Sequence, residues 1–292
     1  MYFSPVLALL IGATFWGLSW WPFKYFNAAG LGSNAFLLIV YGSICLTLLP
    51  FAWRARQQWR HQGGILLALV VLGGYSNIAF ANAIIFGDVI RMMLLFYLAP
   101  VWAVIGARIF LNEHADRQRW LCVVIACFGA FLILGGRHLD FSNSSVLDLL
   151  ALTAGMGFAL TNVTCRRAQQ LTIINKTFII FFGGVLAAGF ALLILQQSIP
   201  STIPLQLGAS LLGFSLLWIL LGSLATQWGV THMDAGRSGV ILVSELVIAA
   251  ISATLLGADT LSLEEAIGGG LIIAATIFEA QRSSKSPKMR TK

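Results

Sequence analysis

The sequence predicts an all-α integral membrane protein with ten transmembrane helices, arranged as two inverted five-helix repeats with both termini in the cytoplasm. Three observations predict this fold class. Hydrophobic residues make up 58% of the 292 residues, against roughly 45–50% in soluble domains, and the mean hydropathy is +0.86. Apolar segments of membrane-spanning length recur along the chain, and the lysines and arginines between them concentrate in alternate loops.

Ten apolar segments are each about 17 to 24 residues long, the length at which a helix crosses the hydrocarbon core of a bilayer. They leave too little chain for a soluble catalytic domain. The first has no basic stretch before it and no small-residue cleavage site, so we expect it to be retained as a helix. The segments are 5–24, 33–53, 64–86, 90–111, 119–136, 148–165, 177–196, 206–229, 237–257 and 265–281.

The loop charges predict the orientation. With the N-terminus inside, fourteen lysines and arginines fall on the cytoplasmic side and three fall outside. This asymmetry accounts for the net charge of +7 without a nucleic-acid partner, and it places the basic tail 282–292 beside anionic lipid of a bacterial-type inner membrane. The cytoplasmic set is Arg54, Arg56, Arg60, Arg117, Arg119, Arg166, Arg167, Lys176, Arg237, Arg282, Lys285, Lys288, Arg290 and Lys292, and the outer set is Lys24, Arg91 and Arg137.

An internal repeat divides the chain. A gap-free shift of 146 positions (233 minus 87) lays 87–113 over 233–259. Charged residues then coincide three times: Asp88 with Asp234, Arg91 with Arg237, and Glu113 with Asp259. Because each unit has an odd number of spans, the second copy must enter the membrane from the opposite side. We predict a first repeat at 1–138, a second at 147–281, and the basic tail at 282–292.

Three stretches carry a resemblance to a known family. "FWGLSWWPFK" (15–24), "FYLAPVWAVIGARIFLNE" (96–113) and "SELVIAAISATLLGAD" (244–259) resemble motifs of EamA-type members of the drug/metabolite transporter superfamily. The chain departs from the pattern at Leu246, where proline is usual, and at Ala258 and Asp259, which replace a glycine-glutamate pair. The resemblance implies a ten-helix carrier with cytoplasmic termini that usually exports metabolites or amino acids, and it names no particular substrate.

Glu245 is the most informative single residue. It lies near the middle of the ninth segment, with no other charged residue between Arg237 and Asp259. A carboxylate at that depth costs on the order of 2.5–3.5 kcal/mol on insertion scales, so it should face a cavity or carry a proton. Two interpretations stay open: a group that couples to protons or binds an amine, and a protonated carboxyl packed against a neighbouring helix.

Other polar and aromatic residues lie at membrane depth, where lipid offers no hydrogen-bond partner, so each must bond within the bundle or line water. Trp16 and Trp20 share a helix face that could stack a planar or apolar substrate, although tryptophan near a span end is also a common interfacial anchor. For the amides, the alternative is a bond between neighbouring helices. The candidate substrate-binding residues are Trp16, Trp20, Asn77, Asn82, Tyr97, Asn162 and Trp228.

Other chemistries find no support in the sequence. The four cysteines fall inside spans at no metal-like spacing, and the four histidines are scattered singly. The sequence has no phosphate-binding loop, no Gly-x-Ser-x-Gly and no His-Glu-x-x-His. We therefore expect no cofactor, no metal and no enzymatic activity.

Two Asp-x-x-Arg pairs, Asp88 with Arg91 and Asp234 with Arg237, fall at opposite membrane faces in the predicted topology. Each could be a local ion pair worth about 0.2–0.5 kcal/mol, with the aspartate complementing a helix dipole. Alternatively, the two pairs could be gates that form in turn.

The function that these observations favour is secondary transport of a small metabolite or amino acid by alternating access, by preference export and coupled to protons at Glu245. The expected partners are the small-molecule substrate and the lipid bilayer. A membrane-embedded lipid-processing enzyme and a non-transporting membrane partner or sensor are the alternatives from other classes.

Overall fold

The computed structural model describes residues 4–87, 89–135, 146–197, 202–256 and 262–282, and these residues are helical with no strand among them. The described residues contain fourteen α-helices. They are α1 (Pro5–Gly17), α2 (Trp20–Ala28), α3 (Ser33–Arg54), α4 (Gly63–Phe86), α5 (Val89–Phe96), α6 (Ala99–Phe110), α7 (Arg117–Ile133), α8 (Val146–Arg167), α9 (Ile173–Ile194), α10 (Leu205–Gly213), α11 (Leu220–His232), α12 (Ala235–Leu242), α13 (Ser244–Leu255) and α14 (Leu263–Gln281). The all-α class is confirmed.

Among the described residues, eight helical stretches are long and apolar enough to cross a membrane, which confirms a multi-pass membrane protein. Two further predicted spans fall short of that measure. Helix α7 has 17 residues, and α14 carries Glu264, Glu265 and Glu279 among its 19. The eight stretches are Pro5–Ala28, Ser33–Arg54, Gly63–Ile84, Arg91–Phe110, Val146–Arg167, Ile173–Ile194, Leu205–His232 and Ala235–Leu255.

Three of these stretches are broken near their middle. Two of the breaks lie just before a proline. Pro22 and Pro100 have no N–H to donate to the carbonyl four residues earlier, so the helix is interrupted there. The third, at Val243, has leucine where the family motif has proline. There the chain tightens into a turn in which the Leu246 N–H donates to the Val243 carbonyl at 3.1 Å. The loss of the proline therefore did not remove the break.

The stretch from Leu205 to His232 contains a π-helical segment, Phe214–Ile219, between α10 and α11. Segments of this kind are frequent at functional sites. Within it, the Trp218 indole N–H donates to the Phe15 carbonyl at 2.8 Å, and that carbonyl lies in the last turn of α1, next to the first helix break. The Ser19 hydroxyl donates to the same carbonyl at 2.6 Å, so the indole is its second donor at the break.

Close helix packing depends on glycine in the pair α7 and α14. A Cβ atom on Gly129 would lie 2.7 Å from the Gly268 carbonyl oxygen, and one on Gly268 would lie 2.6 Å from that of Gly129. Small residues at a crossing let two helices approach closely in a membrane, where apolar burial gives little driving force. This contact joins the last helix of the first half to the last helix of the second.

Candidate functional site

The candidate site lies where two helix breaks meet. Tyr97 follows α5 at one break, and Glu245 lies in the first turn of α13, after the other break at Val243. The Tyr97 hydroxyl donates a hydrogen bond of 2.6 Å to Oε1 of Glu245. This bond joins the two halves of the chain, and it brings together two of the predicted site residues.

A pocket surrounds this bond, and its polar groups are few. Glu245 is the single charged residue that lines it among the described residues, and Tyr97 is the other titratable one. Apart from the amide of Asn162, the remaining lining is apolar. It comprises Phe96, Ala99, Pro100, Ala103, Phe158, Ala159, Asn162, Ala235, Gly239, Leu242 and Val243.

The walls are formed mainly by α6, α8 and α12. The rings of Phe96 and Phe158 pack against each other with centroids 5.5 Å apart. Asn162 is 5% exposed, and within the described part of the chain its amide makes no hydrogen bond, although it lines the pocket. The free volume is about 20 Å³, room for one water molecule, so the pocket is closed in this conformation.

One end of the pocket reaches a cluster of charged residues. Ala235 lines the pocket, and its backbone N–H donates to Oε2 of Glu113 at 3.0 Å. Arg166 lies 3.4 Å from Oε1 of the same glutamate and 3.9 Å from Asp234. Arg119 pairs with Asp234 at 3.1 Å. We call Glu113, Asp234, Arg119 and Arg166 the basic-end cluster.

The basic-end cluster continues into α14 through Glu279. This glutamate is fully buried, 3.8 Å from Arg119 and 3.3 Å from Arg282. Arg237 donates to the carbonyls of Glu279 at 2.5 Å and Ala280 at 2.7 Å. These bonds tie the segment before α7, and α8, α12 and α14, together at one end of the bundle.

The predicted local pair of Asp234 with Arg237 is not formed. Asp234 pairs with Arg119 and Arg166 from other helices, and Arg237 binds backbone carbonyls of α14 instead. A spacing of three residues allows Asp234 and Arg237 to meet on one helix but does not require it. Both side chains are mostly buried, so each binds the polar groups that the neighbouring helices present.

Burial is the main reason that the pKa of Glu113 lies above its ordinary value. The hydrogen bond from the Ala235 N–H lowers this pKa, the charge of Asp234 raises it, and Arg166 lowers it. The net rise means that Glu113 takes up a proton more readily than a free glutamate. Protonation would weaken its attraction to Arg166.

The opposite end of the bundle has fewer described charge contacts. Arg91 pairs with Asp148 of α8 at 2.5 Å. The Asn82 amide exchanges hydrogen bonds with Asn34 at 3.2 and 3.3 Å, and Asn34 also donates to Gln197 at 2.9 Å. Asp88, the predicted partner of Arg91, lies outside the described residues.

The other predicted substrate-binding residues lie away from the pocket. Trp20 donates to Ser252 of α13 at 2.9 Å, while Trp16 packs against the main hydrophobic core. Asn77 accepts a hydrogen bond from Tyr41 at 2.9 Å. Trp228 stacks against His232 with ring centroids 4.1 Å apart. Of the seven predicted residues, Tyr97 and Asn162 line the pocket.

A larger groove of about 570 Å³ opens on the outer surface of the bundle between α4, α8 and α9. Its lining includes Val71, Leu186 and Phe190, whose side chains are exposed, and it reaches Asn82. The Asn82 amide is already bonded to Asn34 and to the Ile78 carbonyl. The groove therefore offers an apolar surface suited to lipid chains.

The loop-charge count missed several buried ionic groups. Lys176, assigned to a cytoplasmic loop, lies instead in the first turn of α9 and is fully buried. Its ammonium donates to the Cys165 carbonyl at 2.7 Å and to the Thr231 hydroxyl at 3.0 Å, both near helix C-termini that favour a cation. The sequence signal that could have indicated this is Thr172, which caps the N-terminus of α9 and therefore places Lys176 inside the helix.

Comparison with known proteins gives the following matches. The model of the EamA-like transporter family matches residues 3–135 and 146–279. The "S-adenosylmethionine uptake transporter" of Rickettsia prowazekii (strain Madrid E) is 26% identical over 273 residues, covering 86% of this chain and 83% of that protein. The "Riboflavin transporter" of Rhizobium johnstonii (strain DSM 114642 / LMG 32736 / 3841) is 28% identical over 163 residues, 52% of each chain.

A solved structure described as "Crystal structure of protein" has a TM-score of 0.75 at 16% identity, covering 93% of this chain and 94% of that one. At this identity it shows that the fold is shared. The family match spans nearly the whole sequence, in two segments that leave out only the residues between the halves and the two ends. The chain belongs to the EamA-like transporter family.

Proposed function

We propose that this protein is a secondary carrier that moves a small molecule across the inner membrane by alternating access, with the Tyr97–Glu245 pocket as the substrate site. The observation that carries the proposal is the 2.6 Å hydrogen bond joining two helix breaks, one from each half. Discontinuous helices that meet near the bilayer midplane are how many secondary transporters build their substrate sites.

Ten spans in two inverted repeats, with cytoplasmic termini, belong to this proposal. The shift of 146 positions that aligns the charged residues also lays Tyr97, at one break, on Val243 at the other. The helix pairs support the same correspondence: α4 packs extensively on α8, and the equivalent α11 packs on α1. Helix α7 and its counterpart α14 pack on each other, as elements beside a two-fold axis do.

The basic-end cluster acts as the closed cytoplasmic gate in this proposal. It links the segment between α6 and α7 to α8 and α12, the elements that border the pocket. Opening a path from the pocket to this face would require those helices to separate, which would break the contacts of Arg166 and Arg119. The predicted gate residue Asp234 lies within the cluster, and Arg237 fixes α12 to α14 beside it.

Coupling to protons is proposed at Glu245. Within a bilayer a carboxylate needs a counter-charge or a proton. In this conformation its described partner is the neutral Tyr97 hydroxyl, and no basic residue lines the pocket among the described residues. Export is the direction that we propose from the family resemblance. Because a matching relative is named for uptake, both directions must be assayed.

Alternating access can be tested without knowing the substrate. Ala159 lines the pocket, and replacing it with cysteine after changing all four native cysteines to alanine gives one reactive site. A membrane-impermeant maleimide is applied to right-side-out and to inverted vesicles. A carrier should label from both faces. Labelling from neither face would indicate a non-transporting partner or sensor and would reject the proposal.

The proton role is tested by comparing Glu245→Gln with Glu265→Gln. The control glutamine can still complete the capping box at Ser262, where a glutamate or glutamine side chain serves. Infrared difference spectra across a pH titration should show a protonatable membrane carboxyl that disappears in Glu245→Gln and persists in the control. An unchanged spectrum in Glu245→Gln would exclude that role.

A further inference from the structure

The polar groups of the pocket also indicate which substrate it takes. We infer that the substrate is a small organic cation with a flat apolar or aromatic part, bound with its positive charge against Glu245 and a second polar group at Asn162. This inference rests on the proposed function, since it concerns the substrate of the same site.

The first step is charge. Glu245 contributes the one formal charge among the described residues of the pocket wall, and the wall has no lysine, arginine or histidine. Its Oε1 accepts the Tyr97 hydrogen bond, while Oε2 accepts none within the described part of the chain. An anionic substrate would be repelled by the ionised carboxylate, and a neutral one would leave Glu245 dependent on its proton, because it brings no counter-charge. A cation supplies the missing counter-charge.

The second step is shape. Phe96, Phe158 and Tyr97 place three aromatic rings in the lining, and Pro100 with several alanines supplies the rest. Aromatic faces attract organic cations, and they stack on flat rings. Methylated amines, sulfonium groups and protonated aromatic amines share this chemistry. A strongly hydrated inorganic cation would find too few oxygen ligands in such a wall.

The third step is Asn162. Its side chain is 5% exposed, and its amide has no hydrogen-bond partner among the described residues. The amide atoms are open to the pocket, and an amide can both donate and accept hydrogen bonds. A carbonyl or hydroxyl group on the substrate would satisfy it. Asn162 and Glu245 would then each bind one polar group of the same ligand.

These steps imply exchange. A proton and a monovalent cation compete for the same carboxylate, so each cation that binds to protonated Glu245 should release one proton. When the outer face of the membrane is the more acidic, protons entering at Glu245 would drive the cation outward. The proposed export direction then follows from competition at one residue.

The experiment uses three probes of similar size that differ in charge: 2-phenylethylammonium, 2-phenylethanol and 3-phenylpropionate. The purified full-length protein is placed in phosphatidylcholine nanodiscs, with empty nanodiscs as the blank. Binding is measured by calorimetry, and proton release by a pH indicator in weak buffer. The cation should bind and release one proton, and the alcohol and the carboxylate should bind at least about tenfold more weakly.

Two variants separate the roles. Glu245→Gln should weaken cation binding by about 10- to 150-fold and abolish proton release, because a charged hydrogen bond is lost. Glu245→Asp keeps the charge and should retain the proton release, which guards against a folding defect in the glutamine variant. Asn162→Leu should weaken binding of the hydroxylated analogue tyramine more than binding of 2-phenylethylammonium, because only tyramine has a second polar group for the amide to contact.

Several results would overturn the inference: no cation binding at all, equal binding of the alcohol or the carboxylate, or unchanged cation binding in Glu245→Gln. The inference would then fail by itself if Ala159→Cys still labelled from both faces of the membrane. Absence of labelling from both faces would instead remove the proposed function beneath it.

Discussion

The gate assigned to the basic-end cluster makes a quantitative prediction for Asp234→Asn. Asparagine keeps the size of the side chain but removes the charge between Arg119, at 3.1 Å, and Arg166, at 3.9 Å. The two arginines would then lose a shared counter-charge. Glu113 and Glu279 would remain as the partners of these arginines.

The magnitude follows from distance and burial. At an effective dielectric constant of about 20, the two attractions are about 5 and 4 kcal/mol before desolvation is subtracted. The side chains of Arg119, Asp234 and Arg166 are 11%, 15% and 27% exposed, so the cluster is closer to a buried pair than to a surface pair. Removing one partner of a buried pair costs about 3–5 kcal/mol. Taking about 3 kcal/mol, the ratio of open to closed gate should rise by about two orders of magnitude.

The assay is the maleimide labelling rate of Ala159→Cys from the cytoplasmic face in inverted vesicles. Asp234→Asn should raise this rate strongly, up to the point where the open state predominates. Asp148→Asn is the matched control, since it removes a carboxylate that pairs with Arg91 at the opposite end. It should not raise labelling from the cytoplasmic face. If the labelling rate of Asp234→Asn stayed within about twofold of the rate of Ala159→Cys alone, the gate would be refuted. Asp234 would then stabilise the closed state by only about 0.4 kcal/mol.

Two further predictions concern stability. The pKa of Asp116 is lowered, first by a hydrogen bond from Arg282, so its stabilising effect exists above the ordinary aspartate pKa and is lost as pH falls. Thermal unfolding of Asp116→Asn should therefore differ from wild type near neutral pH and converge with it in acid, and a difference that grows in acid would contradict this cause. Gly268→Leu would overlap the Gly129 carbonyl and should cost about 1–3 kcal/mol, whereas Gly270→Leu, which meets open space, should be tolerated; equal melting temperatures would contradict the close packing.

Much of the fold could be predicted from the sequence because membrane helices leave strong local signals. Apolar length predicted ten spans, and eight of these segments coincide with described helical stretches that are long and apolar enough to cross a membrane, while the other two overlap α7 and α14. The helix breaks were harder to predict from the sequence. Proline indicates two of them, but the break at Val243 has no proline and depends on how α12 and α13 pack.

The site could be predicted in part, for a physical reason. Glu245 stands out because a lone carboxylate in an apolar segment is costly wherever it lies. Its partner Tyr97 was one of several polar candidates, and only packing selects it. The basic-end cluster was hidden because its members come from helices and loops that are far apart in sequence. A count of loop charges treats Arg119 and Arg166 as solvated, whereas the structure pairs both with Asp234.

The two halves of the chain carry different side chains at the helix breaks, although each half has a break at the equivalent position. Under the shift of 146 positions, Tyr97 corresponds to Val243, and Ala99 corresponds to Glu245. Both halves supply a helix break, but one contributes a phenol and the other a carboxylate, and the hydrogen bond between these two groups joins the breaks. A glutamate in place of Ala99 as well would put a second carboxylate in the same pocket, where two like charges repel each other. Under the proposed function, the difference between the halves at these positions leaves a single carboxylate to balance the charge of one cation.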